Sequence, residues 1–297
     1  MTYSIIGRDP ERGEIGIAVQ SRWFHAGEDV AWIEPGVGAV CTQAMVNPAY
    51  GPRGLDLMRG GRSADEALAT LAAADEGAEV RQVAMLDATG RFAQHTGKRC
   101  VAAAGHTTGE DCCAQGNMLT RESCWGAMVG AFASKERLTD RLLDALDAAE
   151  REDGDARGRQ AARILVLRDE PVGDPWEDRV LDLQVVDNPD PVPELRRLVT
   201  VKRAYDHLGR AFDLADKGDP RAASDEADAA HALAPTDDQI LFWRATMLGG
   251  AGRIGEAADA MREATGVNPR WPDFLRRCIA AGLVPPQAGA LADVAEP

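Results

Sequence analysis

A threonine at position 2 places a hydroxyl nucleophile next to the initiator methionine. Cytosolic aminopeptidases trim methionine when the next residue is small, so a mature chain beginning at Thr2 would carry a hydroxyl and a free α-amine on one residue. The neutral amine, with a reference pKa of about 8, can take the hydroxyl proton without an imidazole. An ordinary first strand behind an ordinary initiator accounts for the same two residues. A second group with chemical potential is Gln115-Gly116-Asn117. Glycine lets a backbone approach a ligand, and N–H donors are what a developing oxyanion needs; a polar glycine turn explains the run equally well. Gln43, Asn47 and Tyr50 follow one another closely enough for amides and a phenol to line a pocket, although Asn47-Pro48 is also a common turn.

Other chemical signals are weaker. Cys112-Cys113, Cys124 and His106 lack the paired spacing of a zinc site, and burial explains these thiols better. Gly36-x-Gly38 lacks the third glycine of a dinucleotide loop. His25 and His95 are isolated. No metal and no cofactor is expected.

The elements that must position Thr2 begin with two apolar runs, Tyr3 to Gly7 and Glu14 to Val19, around Asp9-Pro-Glu-Arg-Gly13, which spells a β-hairpin. Trp23 to Pro35 is expected to be irregular and to overhang a pocket. Val37 to Gln43 reads as a buried strand, and a helix follows the Asn47 turn through Met58. Ser63-Ala-Asp-Glu66 is a capping box that opens another helix. Gln82 to Asp87 and Arg91 to Thr96 form a second hairpin, and Ala114 to Met118 reads as a glycine-centred loop. Glu122 to Phe132 and Leu138 to Glu150 are helical, and Gln160 to Leu167 and Arg179 to Val186 are strands.

Thr2-Tyr-Ser-Ile-Ile, Ser21-Arg22 and Gly36-Val-Gly-Ala-Val-Cys-Thr-Gln43 resemble the opening of proteasome-like N-terminal-nucleophile (Ntn) hydrolases. The run to about Pro193 more closely resembles the bacterial Ntn-hydrolase-like family known as domain of unknown function 1028. Matching pieces include Asn47-Pro-Ala-Tyr50-Gly51, Arg81-Gln82, Ala104-Gly105-His106, Gln115-Gly116-Asn117 and Gly154-Asp155-Ala-Arg157-Gly158. The resemblance implies an α+β fold, a four-layer αββα sandwich. It also implies a catalytic group of Thr2, Ser21, Arg22, Gly116, Asn117 and Asp155. Gln43, Asn47, Tyr50, Gln82, His106 and Gln115 would bind the substrate. The strand Val37 to Gln43 departs from the proteasome-like pattern in having no lysine. Relatives of this fold are commonly oligomeric, which implies a homo-oligomer.

The last third is alanine-rich and matches itself at an offset of 34 residues: Gly218 with Gly252, Ala223 with Ala257, Ala230 with Ala264 and Pro235 with Pro269. That period and those residues resemble tetratricopeptide repeats. The expected organisation is an Ntn-like domain over 1–190, a connecting helix over 191–217, an all-α repeat segment over 218–283 and a flexible tail over 284–297.

A net charge of −15 disfavours nucleic acid and anionic membranes as partners. No apolar run reaches the ~20 residues of a membrane span, and six cysteines in 297 residues fit a reducing cytoplasm. Two functions remain open. One is an Ntn amidohydrolase acting through Thr2 on an amide bond of a small aminoacyl or peptide-like metabolite. The other is a non-catalytic binding or scaffold protein on the same fold, recruiting a protein partner through its helical repeats.

Overall fold

Alternation of side chains along the first strand sets the plan of the N-terminal half. In the computed structural model, which describes residues 2–284 and 288–294, β1 (Thr2–Asp9) pairs antiparallel with β2 (Glu14–Ser21) across the expected Pro/Gly turn. Successive residues on a strand point to opposite faces. Ile6 therefore joins Ile15, Ile17 and Val19 in an apolar layer with Ala39, Cys41, Ala84 and Leu86. The latter four belong to a second sheet.

The first sheet has the order β10-β9-β2-β1-β8-β7, with β7 Gly105–Gly109, β8 Cys112–Asn117, β9 Ala161–Arg168 and β10 Arg179–Val185. The second has the order β3-β4-β5-β6, with β3 Ala31–Glu34, β4 Gly38–Ala44, β5 Arg81–Asp87 and β6 Phe92–Thr96. All pairings within both sheets are antiparallel. Helices α2 (Tyr50–Arg59) and α3 (Ala64–Ala74) cover the outer face of the second sheet, burying Leu55, Met58, Ala67 and Leu68 on Val40, Val83 and Met85. The Ser63 capping box is formed: Ser63 Oγ accepts from the Glu66 amide, and Glu66 accepts from the Ser63 amide. Helices α4 (Cys124–Phe132) and α5 (Leu138–Arg151) lie on the outer face of the first sheet. There Gly7 and Gly16 leave room for Phe132, Leu138 and Leu142.

Three expectations change. Trp23 to Pro35 is not irregular throughout but holds the short helix α1 (Ala26–Val30) followed by β3. Ala114 to Met118 is not a loop: the run to Asn117 completes β8, paired with β1 on one side and β7 on the other. Glycine and amides disguise this strand because its inner face is polar rather than apolar. In the expected tail, α11 (Gly289–Val294) forms, and Leu291 and Ala292 are buried in the C-terminal core; 285–287 and 295–297 lie outside the described residues.

The chain divides into two compact units between Arg196 and Arg197, inside α6 (Pro191–Asp216). The C-terminal unit is helical, with α7 (Pro220–Leu233), α8 (Asp238–Gly250), α9 (Ile254–Val267) and α10 (Trp271–Ala280). Helices α7 and α9 are offset by 34 residues at both ends. Gly218 and Gly252, one period apart, both have φ +79°, a backbone that glycine adopts without strain. Ala223, Ala257, Ala230 and Ala264 are all buried, so the small residues of the repeat mark close helix contacts. No described helix is long and apolar enough to cross a membrane.

Candidate active site

Thr2 opens the central strand of the larger sheet, opposite Ser21 on β2 and Asn117 on β8. This register, fixed by the hairpin turn and the Ile6 layer, brings the ends of three strands together. Thr2 Oγ1 lies 2.9 Å from Ser21 Oγ, and both residues are buried. The Thr2 carbonyl accepts from Gln43 Nε2 at 3.1 Å and from Asn117 Nδ2 at 3.3 Å.

These two carboxamides belong to a buried network across both sheets. Gln82 Oε1 accepts from Gln43 Nε2 at 2.7 Å and from Asn117 Nδ2 at 3.0 Å. Gln82 Nε2 in turn donates to the Gly116 carbonyl at 2.8 Å and to Thr96 Oγ1 at 2.9 Å. Ser4, two residues along the same face as Thr2, donates to Gln43 Oε1 and accepts from Gln115 Nε2. The layer between the sheets is thus polar at the Thr2 end and apolar from Ile6 onward. The amide donors of this network are met by one another's oxygens and by backbone carbonyls, whereas Gln115 Oε1 and Asn117 Oδ1 are buried without a hydrogen-bond partner among the described residues.

Asp155 follows the turn at Asp153 and Gly154, both with positive φ, and its side chain is fully buried. Its carboxylate accepts from the backbone amides of Arg22 at 3.0 Å and Arg157 at 2.9 Å, and pairs with the Arg157 guanidinium at 3.4 Å. It thus braces the end of β2 beside Ser21. Arg22 enters through that backbone amide; its side chain is exposed and donates to the Arg159 carbonyl.

A cavity of about 310 Å³ is lined by Thr2, Ser21 and Gln43, by the apolar side chains of Trp23, Met45 and Met118, and by Asp29, Arg81 and Arg157. Its volume lies at the small end of ligand sites. Trp23, Ala26, Asp29 and Val30 all line the cavity, so the segment after β2 borders the pocket. Ala44 and Met118, which also line it, have φ of 72° and 54°, a left-handed backbone uncommon outside glycine and often retained at functional sites. No residue type in the sequence announces either, and Arg157 was visible only as part of a motif.

Some expected site residues go elsewhere. Gly116 sits within the β8 ladder, where a Cβ would press on Leu119, and is not among the residues lining the cavity. His106 on β7 shares a hydrogen bond with Thr96, its pKa lowered by burial. Asn47 and Tyr50 line a second hollow beside Asp75. There burial, reinforced by the Asp75 charge, pushes the Tyr50 phenol up to about 12. The Arg81 hydrogen bond holds Asp75 at about 2. Gln82, Gln115 and Asn117 reach the Thr2 neighbourhood through the amide network.

Burial raises Cys41 to about 12 and Cys112 to about 11, and raises Cys113 and Cys124 as well. Among the described residues no group of His, Cys, Asp and Glu could hold a metal ion.

The architecture defines a mixed α+β protein with two antiparallel sheets, a buried polar end at Thr2 and a separate helical region. Residues 2–195 match the model of a family of unknown function, DUF1028, and the chain belongs to that family. The chain is similar to the crystal structure of protein SPO2555 from Silicibacter pomeroyi, which carries the same family model, at 33 % identity. The match covers 67 % of this chain and 84 % of that one, with a TM-score of 0.61. No curated protein matches the chain.

Proposed function

We propose that the N-terminal unit is an Ntn-type amidohydrolase that cleaves an amide bond in a small aminoacyl or peptide-like metabolite. One observation carries this reading: the Thr2 hydroxyl, 2.9 Å from Ser21 Oγ, lines a cavity at the end of a central strand whose carbonyl two buried carboxamides hold. Two sheets with helix pairs on their outer faces agree with an Ntn sandwich. The repeated helices agree with a tetratricopeptide-like segment that recruits a protein partner or a second copy.

In this reading Met1, which lies outside the described residues, is removed. Thr2 Oγ1 then adds to the substrate carbonyl as its proton passes to the Thr2 α-amine. The resulting ammonium protonates the leaving nitrogen, the C–N bond breaks and a threonyl ester remains. Water, deprotonated by the same amine, displaces Oγ1 and releases the carboxylic acid. Ser21 orients the nucleophile, Asp155 braces Ser21-Arg22, and the Arg157 guanidinium supplies positive charge to the oxyanion. These steps call on no metal or cofactor.

A second reading has its own support. Both N–H groups of Gln43 and of Asn117 are spent on Thr2 and Gln82, so neither carboxamide has a donor to spare for an oxyanion. No lysine lines the cavity. On these grounds the site would bind a ligand without turning it over.

Intact mass and N-terminal sequencing, followed by turnover of aminoacyl anilides, separate the two. The hydrolase reading expects a chain starting at Thr2. Activity should fall by about 10⁶ in Thr2→Ala, the scale of losing a serine nucleophile, while Ser4→Ala retains turnover. A fully retained Met1 without turnover sinks the hydrolase and leaves the binding protein, and equal activity in Thr2→Ala sinks Thr2 as the nucleophile.

A further inference from the structure

We infer that the C-terminal helical unit holds a binding site for a small apolar carboxylate, such as an arylalkanoic acid. A hollow of about 340 Å³ is lined by Gln239 and Trp243 of α8, by Asn268 and Arg270 of the turn after α9, and by Trp271 and Phe274 of α10. Three of these six residues are aromatic, and their rings stand nearly at right angles: Phe274 meets Trp243 at 85° and Trp271 at 74°. Rings crossed in this way form the corner of a box rather than a flat patch. The box is fixed from beneath. Trp271 stacks on the fully buried Phe242 with centroids 4.5 Å apart, and its Nε1 donates to Asp238 Oδ2 at 2.9 Å. Phe274 nevertheless remains 41 % exposed, so folding does not cover this apolar corner.

The polar members favour an anion. Arg244, Arg253, Arg262 and Arg277 of the same unit each hold a carboxylate. The Arg270 guanidinium makes no ion pair or side-chain hydrogen bond among the described residues. Asn268 Oδ1 accepts from the Arg270 amide at 3.2 Å, which leaves the Asn268 amino group, like that of Gln239, without a partner among the described residues. The rim is therefore rich in unused donors and carries one uncompensated positive charge in a chain of net charge −15. A guanidinium is suited to a carboxylate, which it can bind through two parallel hydrogen bonds. A planar apolar group fits the aromatic corner. The volume suits a molecule the size of one aromatic side chain with a short acid arm. Arg270 also argues against a cationic guest, which the rings alone would accept.

The test is calorimetric titration of the full chain with 3-phenylpropionate and with its neutral amide. The acid should bind, and the amide should bind at least about tenfold more weakly, as should the acid to Arg270→Gln. Phe274→Ala should weaken the acid and the amide alike. Arg270 and Phe274 are both exposed, and unchanged circular dichroism would show that the variants fold. Absence of acid binding, equal binding of acid and amide, or undiminished binding to Arg270→Gln overturns the proposal. Because Thr2 plays no part in this hollow, loss of amidase activity in Thr2→Ala leaves the expected binding unchanged.

Discussion

Gln82 has the most demanding position in the amide network. One fully buried side chain accepts from two carboxamides and donates to a backbone carbonyl of the neighbouring sheet. Replacing it by leucine keeps the approximate volume but strands donors on Gln43 and Asn117 and an acceptor on Gly116. Each stranded buried group costs roughly 1–3 kcal/mol, so Gln82→Leu is expected to destabilise the protein by on the order of 3 kcal/mol. Urea unfolding measures this; a loss below about 1 kcal/mol would mean that the remaining amides find new partners. Thr2, Gln43, Gln82, Gln115 and Asn117 all stand out in the sequence as candidate site residues. That they converge does not, because the bonds join positions up to 115 apart in sequence. The hydroxyl and amide chemistry was legible, but the partner of each group was not.

At the scale of elements, two glycines show where close packing matters. A Cβ on Gly7 of β1 would come within 2.5 Å of the buried Phe132 ring of α4. The ring is enclosed, so Gly7→Ala is expected to cost about 1–3 kcal/mol through overpacking. Gly130, on the exposed side of the same helix, meets nothing within 4 Å. There alanine should stabilise by about 0.5–1 kcal/mol, because glycine wastes helix propensity. Opposite shifts in thermal midpoint check the pair, and two shifts of the same sign would contradict this packing. Elements with strong local signals were read correctly: the first hairpin, the Ser63 capping box and α5. Strand β8 was mistaken for a loop because its inner residues are amides and its outer ones small. Alternation of apolar and polar residues fails to mark a strand that lines a polar interior.

For the whole molecule, each compact unit has its own core. Ala257 of α9, fully buried, lies in the C-terminal core with Ala260 and Met261. An unpaired carboxylate there would be costly to bury. Ala257→Asp should therefore strip amide protection from α8 to α10 while β1 and β8 keep theirs. Hydrogen exchange reads both at once; uniform loss across the chain would show that the two units share one cooperative transition. The 34-residue period pointed to this core in advance, since only small residues recur where helices approach closely.

What the sequence determined by itself was whatever depends on near neighbours: the hairpin that starts at Thr2, the capped and amphipathic helices, the 34-residue repeat, and the motifs that place the chain in its family. Those features follow from backbone geometry and local periodicity, which a linear string records. The tertiary structure alone decided that β8 lies beside β1 and that Asn47 and Tyr50 line a different hollow from Thr2. It also withdrew Gly116 into a sheet, brought Arg157 to the cavity and crossed three aromatic rings beside Arg270. These outcomes depend on which distant strands and helices pack together. That choice is made by burying a large apolar area while pairing most buried polar groups, a condition on the whole chain at once.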